Sequence, residues 1–365
     1  MKSKIIPHAS KSLFDELASM GHEQILICSD PESNLKAIIA VHNTVLGPAM
    51  GGARMWSYSS EADAMTDVLR LSRGMTFKNA LAGLNIGGGK AVIIGDPRQD
   101  QSEVMMRSFG RFIKNMNGKY ITAEDVGMTM QSLEYIAMET KYVAGLPKSR
   151  GGSGNPSPMT ALGTYVGIKA AVKKVFGTDS LNGKKIAVQG VGHVGEILID
   201  YLVKENAKVF VSDMYADRLK AVADKYKVET VNLQAIYDLD LDVYSPCALG
   251  ATINDSSLER IKAPIIAGCA NNQLADEKKH GDLCLEKKIT YVPDFLINAG
   301  GVINIATEIG GTYNESWARA KTENLYNIVL EVLNNSEKEQ RNAQEIATEM
   351  AMKRIQQIGR IKANY

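Results

Sequence analysis

The 365-residue chain is short of the features that mark several protein classes. It has four cysteines, Cys28, Cys247, Cys269 and Cys284. None forms a C-x-x-C pair and no histidine cluster accompanies them, so neither a zinc site nor a disulfide framework is expected, and no metal. They read as small buried residues of a protein kept in a reducing compartment, and a cytoplasmic location is expected. The five histidines are scattered and carry no catalytic expectation. A net charge of +1 gives no electrostatic case for nucleic acid or an anionic membrane surface. Aliphatic runs such as Ala37 to Val41 are far too short to span a membrane. The N-terminal stretch has two early lysines but no long apolar segment, so no secretory signal is expected.

What is present is the composition of an ordinary globular protein, 45% hydrophobic and 23% charged, long enough for two domains. The first 145 or so residues alternate strand-like and helix-like segments. "EQILICSD" and "LKAIIAVH" read as paired strands, and "SSEADAMTDVLRLSRGM" as a helix opened by Ser60 with Asp63. "KAVIIGD" reads as a strand, "SEVMMRSFGRFIKNM" as a helix, "KYITAEDVG" as a strand ending in Glu124 and Asp125, and "TMQSLEYIAMET" as a helix. The Gly-, Ser- and Pro-rich stretch 145–160 marks a hinge-like loop, followed by a helix from about Thr160 to Val175. Regular β-α alternation follows, with "LDVYSPCALG", "APIIAGCANNQ" and "ITYVPDFLINAGG" as further strands, and a charged helical tail from about Ser316. The rhythm predicts an α/β protein whose second domain is a doubly wound parallel sheet.

"GVGHVG", Gly190 to Gly195, fits G-x-G-x-x-G. The pattern alone is weak, but it follows the strand "KIAVQ" directly and opens a helix, which is the setting of a dinucleotide site. Gly190 permits the tight turn, Gly192 the approach of a pyrophosphate, and Gly195 close packing of helix on sheet, with Val191, His193 and Val194 between them. Asp213 ends the strand "KVFVSD", 23 residues after Gly190. Its carboxylate can accept from ribose hydroxyls and repels a 2′-phosphate, so NAD is favoured over NADP, although Arg218 and Lys220 follow closely.

The run "LNIGGGKAVIIGD" joins three glycines to Lys90. It is not a phosphate loop: Ala91 stands where Ser or Thr is needed, and a strand follows instead of a helix. The phosphates already have a place in the second half. Lys78 and Lys90 lie in the first half, with Asp125. Two ammonium groups brought together can bind a carboxylate with one and move protons with the other, the first depressing the pKa of the second. Asp125 can then carry a proton to or from an amine. A binding protein that has lost its chemistry would have no need of this trio.

The ordered set "GPAMGGARMW", "RGMTFKNALAGLNIGGGKAVIIGD", "YITAEDVG", "GNPSPMTALG", "QGVGHVG", "SPCALGATIN", "ANNQL" and "PDFLINAGGVIN" resembles the glutamate, leucine, phenylalanine and valine dehydrogenase family, from about Gly21 to Gly311. The resemblance implies an N-terminal α/β substrate and oligomerisation domain, 1–147, to which C-terminal helices at about 342–365 return. It implies an NAD-binding Rossmann domain at 148–341 and an active-site cleft between the two. By the same resemblance Lys90 activates the water that attacks an imine, Lys78 binds the substrate α-carboxylate and Asp125 exchanges protons with the amino group. Asn272 and Gly51 hold the substrate; Thr160, Ala248 and Asn271 line the nicotinamide side. The implied reaction is reversible NAD-dependent oxidative deamination of an L-amino acid to a 2-oxo acid and ammonium, in a homo-oligomer, an octamer by resemblance. The implied side-chain pocket is Met50, Ala123, Val302 and Ile305. These are all apolar, which argues against glutamate and favours leucine and other branched-chain substrates. Met50 departs from the leucine-specific pattern, so an aromatic L-amino acid is the alternative. Cys269 and Asn271 in "AGCANNQ" are a second departure.

Overall fold

The computed structural model describes residues 12–248, 250–309 and 311–362. Residues 1–11, most of the stretch read for a secretory signal, lie outside the described residues, as do Leu249, Gly310 and the last three positions of the expected C-terminal helices. The chain forms two compact units: Met1–Thr76 with Ile86–Val143, and Phe77–Asn85 with Ala144–Tyr365.

In the first unit, helix α1 (Leu13–Met20) precedes strands β1 (Gln24–Asp30) and β2 (Leu35–Asn43). These pair antiparallel from Gln24↔Val41 to Asp30↔Leu35, as their sequences predict. Two short strands, β3 (Ala49–Met50) and β4 (Ala53–Trp56), lead into helix α2 (Glu61–Leu81). The Ser60 hydroxyl caps α2, accepting from the Asp63 amide at 3.1 Å. Strand β5 (Gly87–Ile94), helix α3 (Glu103–Asn115), strand β6 (Tyr120–Ile121) and helix α4 (Met130–Ala137) complete the set. The sheet order is β1-β2-β5-β3-β6, with β4 beside β5. Residues Ala64, Val68 and Leu69 of α2 pack on Ile38, Ala40 and Val92 of the sheet, burying the face that the helical spacing marks out.

Two segments differ from expectation here. The three glycines are not a turn before the strand but its first residues. A Cβ on Gly88 would meet the Thr76 backbone N at 2.2 Å, and one on Gly87 the Asn43 carbonyl at 2.0 Å. Their bareness lets β5 lie against α2 and β2. The "KYITAEDVG" strand shrinks to β6, continued by isolated bridges at Thr122↔Val143 and Ala53↔Glu124.

The second unit begins its regular part with helix α5 (Ser157–Phe176), three residues before the expected start. Then come β7 (Lys185–Gln189), α6 (His193–Lys204), β8 (Lys208–Ser212), α7 (Ala216–Tyr226), β9 (Glu229–Thr230), β10 (Val243–Pro246), α8 (Asp255–Arg260), β11 (Ile265–Ile266), α9 (Glu277–Glu286) and β12 (Thr290–Tyr291). All strand pairs are parallel and the order is β12-β11-β10-β7-β8-β9. This is the doubly wound arrangement, with its topological switch point between β7 and β10, where such sheets hold their ligands.

The expected strand "ITYVPDFLINAGG" is mostly helical: after β12, Pro293 opens α10 (Asp294–Ile297), and α11 (Gly300–Ala306) follows. Nearly every residue of both helices is buried, and an apolar run buried all round has no periodicity to separate helix from strand. Helices α12 (Glu315–Glu323), α13 (Leu325–Glu339) and α14 (Ala343–Lys362) form the tail. On α14, Arg354 donates to the carbonyls of Ala80 and Leu84 at 3.2 and 2.7 Å. The tail is thereby bonded to the segment Phe77–Asn85, which groups with it in the second unit. The division itself falls at 143/144, four residues before the expected one.

Candidate active site

Lys90 sits in the middle of β5, paired with Ala40 of β2, and is 6% exposed. A buried ammonium needs a partner, and its Nζ lies 2.7 Å from Asp125 Oδ2. Asp125 follows the Ala53↔Glu124 bridge and opens a turn closed by the Met128 amide on its carbonyl. Gly52 makes room for it, since a Cβ there would lie 2.9 Å from the Asp125 Cβ and 2.5 Å from the Glu124 carbonyl. Arg54 Nε reaches the same Asp125 oxygen at 3.2 Å, while its Nη1 pairs with Asp67 at 3.1 Å and Tyr58 Oη donates to Asp67 at 2.6 Å. Burial pushes the Asp125 carboxyl up, but Lys90 and Arg54 together outweigh it and hold the group below the usual carboxylate range. Lys90 and Asp125 were both anticipated. Arg54 was not: it stands in the quoted "GGARMW", but an arginine two positions from a glycine pair carries no signal of its own.

Met50, on β3, is 1% exposed and pairs with Ile121 of β6; Ala123 is 3% exposed and its carbonyl accepts from the Ala53 amide. Gly51 gives its carbonyl to the buried Tyr120 hydroxyl at 2.6 Å.

In the second unit, Lys78 occupies the last turn of α2. Its Nζ lies 3.4 Å from Asn271 Oδ1. Asn271 is itself held by Asn298, whose Nδ2 donates to the same oxygen at 2.7 Å and to the Cys269 carbonyl at 3.1 Å. The buried Asp294, kept above the usual carboxylate range by burial despite the nearby Lys78 charge, accepts from the Gln273 amide at 2.9 Å. The neighbouring Asn272 takes a left-handed backbone with φ of 52°, and its carbonyl accepts from the Ala251 amide at 2.7 Å. Thus Asn271, expected on the nicotinamide side, is the asparagine whose side chain meets Lys78. Asn298 was missed because it lies in the run misread as a strand.

The glycine turn joins β7 to α6. Gly190 has φ of 103°, and a Cβ on it would lie 2.8 Å from the Ala248 amide. A Cβ on Gly195 would meet the Gly190 carbonyl at 2.1 Å, so only glycine lets the helix start against the turn. Gly192, in contrast, has open space, its nearest neighbour being the Arg218 guanidinium at 3.9 Å. That gap lies at the N-terminus of α6, whose first turn holds His193 and Val194. Val191 is buried, and its amide donates to Asp213 Oδ2 at 2.8 Å, while the Tyr215 amide donates to Oδ1 at 2.9 Å. These two bonds fix the carboxylate at the end of β8.

Thr160, on α5, bonds its hydroxyl to the Pro156 carbonyl at 3.1 Å. Gly300 and Gly301 let α11 press on this turn; a Cβ on Gly301 would lie 2.6 Å from Thr160 Oγ1. Val302 and Ile305 follow on α11, 9% and 7% exposed. The Gly-rich stretch expected to be a hinge is pinned by Glu308, whose carboxylate accepts from the amides of Gly145 and Ser153.

Among the described residues, no three His, Cys, Asp or Glu side chains are grouped to hold a metal ion, and no helix is long and apolar enough to cross a membrane.

Comparison with known proteins agrees with this geometry. The Glu/Leu/Phe/Val dehydrogenase dimerisation domain matches residues 22–142, and the Glutamate/Leucine/Phenylalanine/Valine dehydrogenase domain matches 151–217 and 211–362. Leucine dehydrogenase of Thermoactinomyces intermedius is 50% identical over 97% of this chain and 96% of its own length. Phenylalanine dehydrogenase of the same organism is 42% identical over 96% of each chain. The crystal structure of L-tryptophan dehydrogenase from Nostoc punctiforme matches with a TM-score of 0.82 at 40% identity, over 95% of this chain and 99% of that one. With both family domains matched in order over nearly its whole length, the chain is an amino acid dehydrogenase and belongs to the Glu/Leu/Phe/Val dehydrogenase family.

Proposed function

We propose that the protein catalyses NAD-dependent, reversible oxidative deamination of L-leucine and other branched-chain L-amino acids. The observation that carries the chemistry is the buried Lys90–Asp125 pair at 2.7 Å, a base and a proton carrier held in contact away from bulk water. Lys78 binds the substrate carboxylate, with Gly51, Asn271 and Asn272 as further polar contacts. Asp125 takes a proton from the substrate ammonium so that the amine lone pair can assist departure of the Cα hydride. NAD, when bound, supplies the hydride acceptor. Lys90 then removes a proton from the water that adds to the resulting imine, and Asp125 returns a proton to nitrogen as the carbinolamine collapses to 2-oxo acid and ammonium. Arg54 acts as a positioning residue, keeping Asp125 ionised before the substrate proton arrives.

The residues of the glycine turn fit a dinucleotide: Gly190 and Gly195 are filled by protein, Gly192 is open, and Asp213 is fixed for ribose hydroxyls. Thr160 and Ala248 take the nicotinamide end. The preference for NAD over NADP rests on the Asp213 charge.

Met50, Ala123, Val302 and Ile305 are apolar and buried, so a side-chain carboxylate would find no partner among them. The higher identity to a leucine dehydrogenase than to a phenylalanine dehydrogenase supports aliphatic specificity. Action on aromatic L-amino acids by the same steps is the second reading, supported by Met50, a long and flexible residue, and by the likeness to a tryptophan dehydrogenase. We also propose a homo-oligomer, an octamer, residing in the cytoplasm. β1 is a sheet edge with Ile27 66% exposed, a strand face suited to another copy. Light scattering tests the assembly, and a monomer would refute it.

The test of function is NADH formation at alkaline pH with L-leucine, L-valine, L-isoleucine, L-phenylalanine, L-tryptophan and L-glutamate in parallel. Branched-chain turnover well above the rest supports the proposal; aromatic preference moves it to the second reading.

A further inference from the structure

The proposed reaction uses none of the four cysteines; Cys28 and Cys284 are buried, whereas Cys247 and Cys269 are both partly exposed. They stand just beyond the C-terminal ends of adjacent parallel strands, Cys247 after β10 and Cys269 after β11. The Ala270 amide donates to the Pro246 carbonyl at 3.0 Å, so the residues flanking the two cysteines are themselves bonded across the strands. Strand neighbours so placed are about 5 Å apart at Cα, within the span of a disulfide. The Ser245 hydroxyl lies 3.4 Å from the Cys247 sulfur.

Their position gives the pair its meaning. Cys247 borders the switch point: its amide donates to the Gln189 carbonyl at 2.7 Å, and its Cβ lies 3.7 Å from where a Cβ on Gly195 would stand. The Cys269 carbonyl accepts from Asn298, which holds Asn271 toward Lys78. The two cysteines therefore stand between the glycine turn on one side and the asparagine–lysine contact on the other.

We propose that Cys247 and Cys269 are an oxidation site for hydrogen peroxide, closing to a disulfide that weakens nucleotide binding. The effect on the nucleotide rests on the reading of this edge as the dinucleotide site. Cys247 attacks one peroxide oxygen as its thiolate; the O–O bond breaks, Cys247 becomes a sulfenic acid, and the second oxygen leaves as water after taking a proton. The Cys269 sulfur then attacks the Cys247 sulfur; the S–S bond forms, the S–O bond breaks, and hydroxide leaves as water with the Cys269 proton. Two thiols and one peroxide give one disulfide and two waters, and an external dithiol reverses the change. Hydrogen bonding between the two thiols lowers the Cys247 thiol and raises that of Cys269, a direction in keeping with Cys247 as the attacking sulfur. Closure draws the ends of β10 and β11 from hydrogen-bonding to covalent contact and shifts Ala248 and Asn271 with them.

The test treats the whole protein with hydrogen peroxide, maps peptides without reduction, and titrates NADH by fluorescence. A linked Cys247–Cys269 peptide, an NADH Kd raised about tenfold to a hundredfold as for an ångström-scale displacement, and recovery with dithiothreitol support the proposal. Cys269→Ser is expected to form no link and, untreated, to bind NADH and turn over as the parent does. Oxidation of Cys247 to sulfinic acid without a link overturns the pair, and a link that leaves NADH affinity unchanged overturns the gating. If the untreated protein fails to bind NADH, the dinucleotide reading falls instead, and the peptide map still decides whether the thiols pair.

Discussion

Lys90 and Asp125 meet at 2.7 Å although one comes from the centre of a strand and the other from a turn 35 residues later, and Arg54 grips the same carboxylate oxygen from the far side. Each member makes burial of the other tolerable. Lys90→Ala and Asp125→Asn are each expected to lower kcat by about 10²–10⁴. Steady-state kinetics with L-leucine and NAD checks this, and activity within a few-fold of the parent for either variant would remove it from the mechanism.

Arg54 lowers the Asp125 pKa, so its loss must act through pH. With Arg54→Leu, burial is opposed by Lys90 alone and the Asp125 carboxyl titrates higher. The carboxylate needed to accept the substrate proton then persists only to a less acidic limit, and the acid limb of the kcat profile moves to higher pH. An unmoved limb with a uniformly reduced kcat would mean that Arg54 only supports the fold.

Asp213 is tied by the amides of Val191 and Tyr215. Asp213→Ala removes a charged hydrogen-bond acceptor for ribose, a loss of about 1.5–3 kcal/mol, so KM for NAD is expected to rise tenfold or more in order of magnitude. KM for NADP should change less or fall, because the repulsion of a 2′-phosphate goes with it. Equal changes for both cofactors would place Asp213 outside the ribose site.

His22 and His42 lie edge to face with centroids 4.8 Å apart, His42 Nε2 donating to the Met20 carbonyl at 2.9 Å and its Nδ1 lying 2.7 Å from the Thr76 hydroxyl. Burial and then the neighbouring His42 bring His22 down to about 4, and burial lowers His42 as well. Both folded values lie below the unfolded one of about 6.5. Between about pH 6.5 and 4 the unfolded chain binds more protons than the folded one, so stability falls as pH drops through that window. Melting curves from pH 7.5 to 5 should show this fall, reduced in His22→Gln; an unchanged slope would show that His22 is not its source.

Much of this arrangement was legible in the chain. The capping pair at Ser60 and Asp63, the β1–β2 pairing, the G-x-G-x-x-G turn and Asp213 are local signals, written within a few residues of one another. The contacts that complete the site are not local. Arg54 and Asp125 are 71 positions apart, Lys78 and Asn271 193. No periodicity announces such a meeting, so Arg54 and Asn298 went unread and the contact of Asn271 with Lys78 was not foreseen. The helices α10 and α11 were lost for a different reason: when every side of a segment is covered, alternation has nothing to alternate against.

Gly88 illustrates how two kinds of necessity can look alike. Any side chain there collides with the backbone of Thr76, at a cost of about 3 kcal/mol for alanine. Lys90, two positions on, is indispensable for what its amine does. A saturation screen scored on growth or activity would rank the two as equally intolerant neighbours and invite a common explanation. Small exogenous amines separate them: they can restore part of the lost turnover to a lysine deletion, but no additive in solution re-seats a helix on a strand.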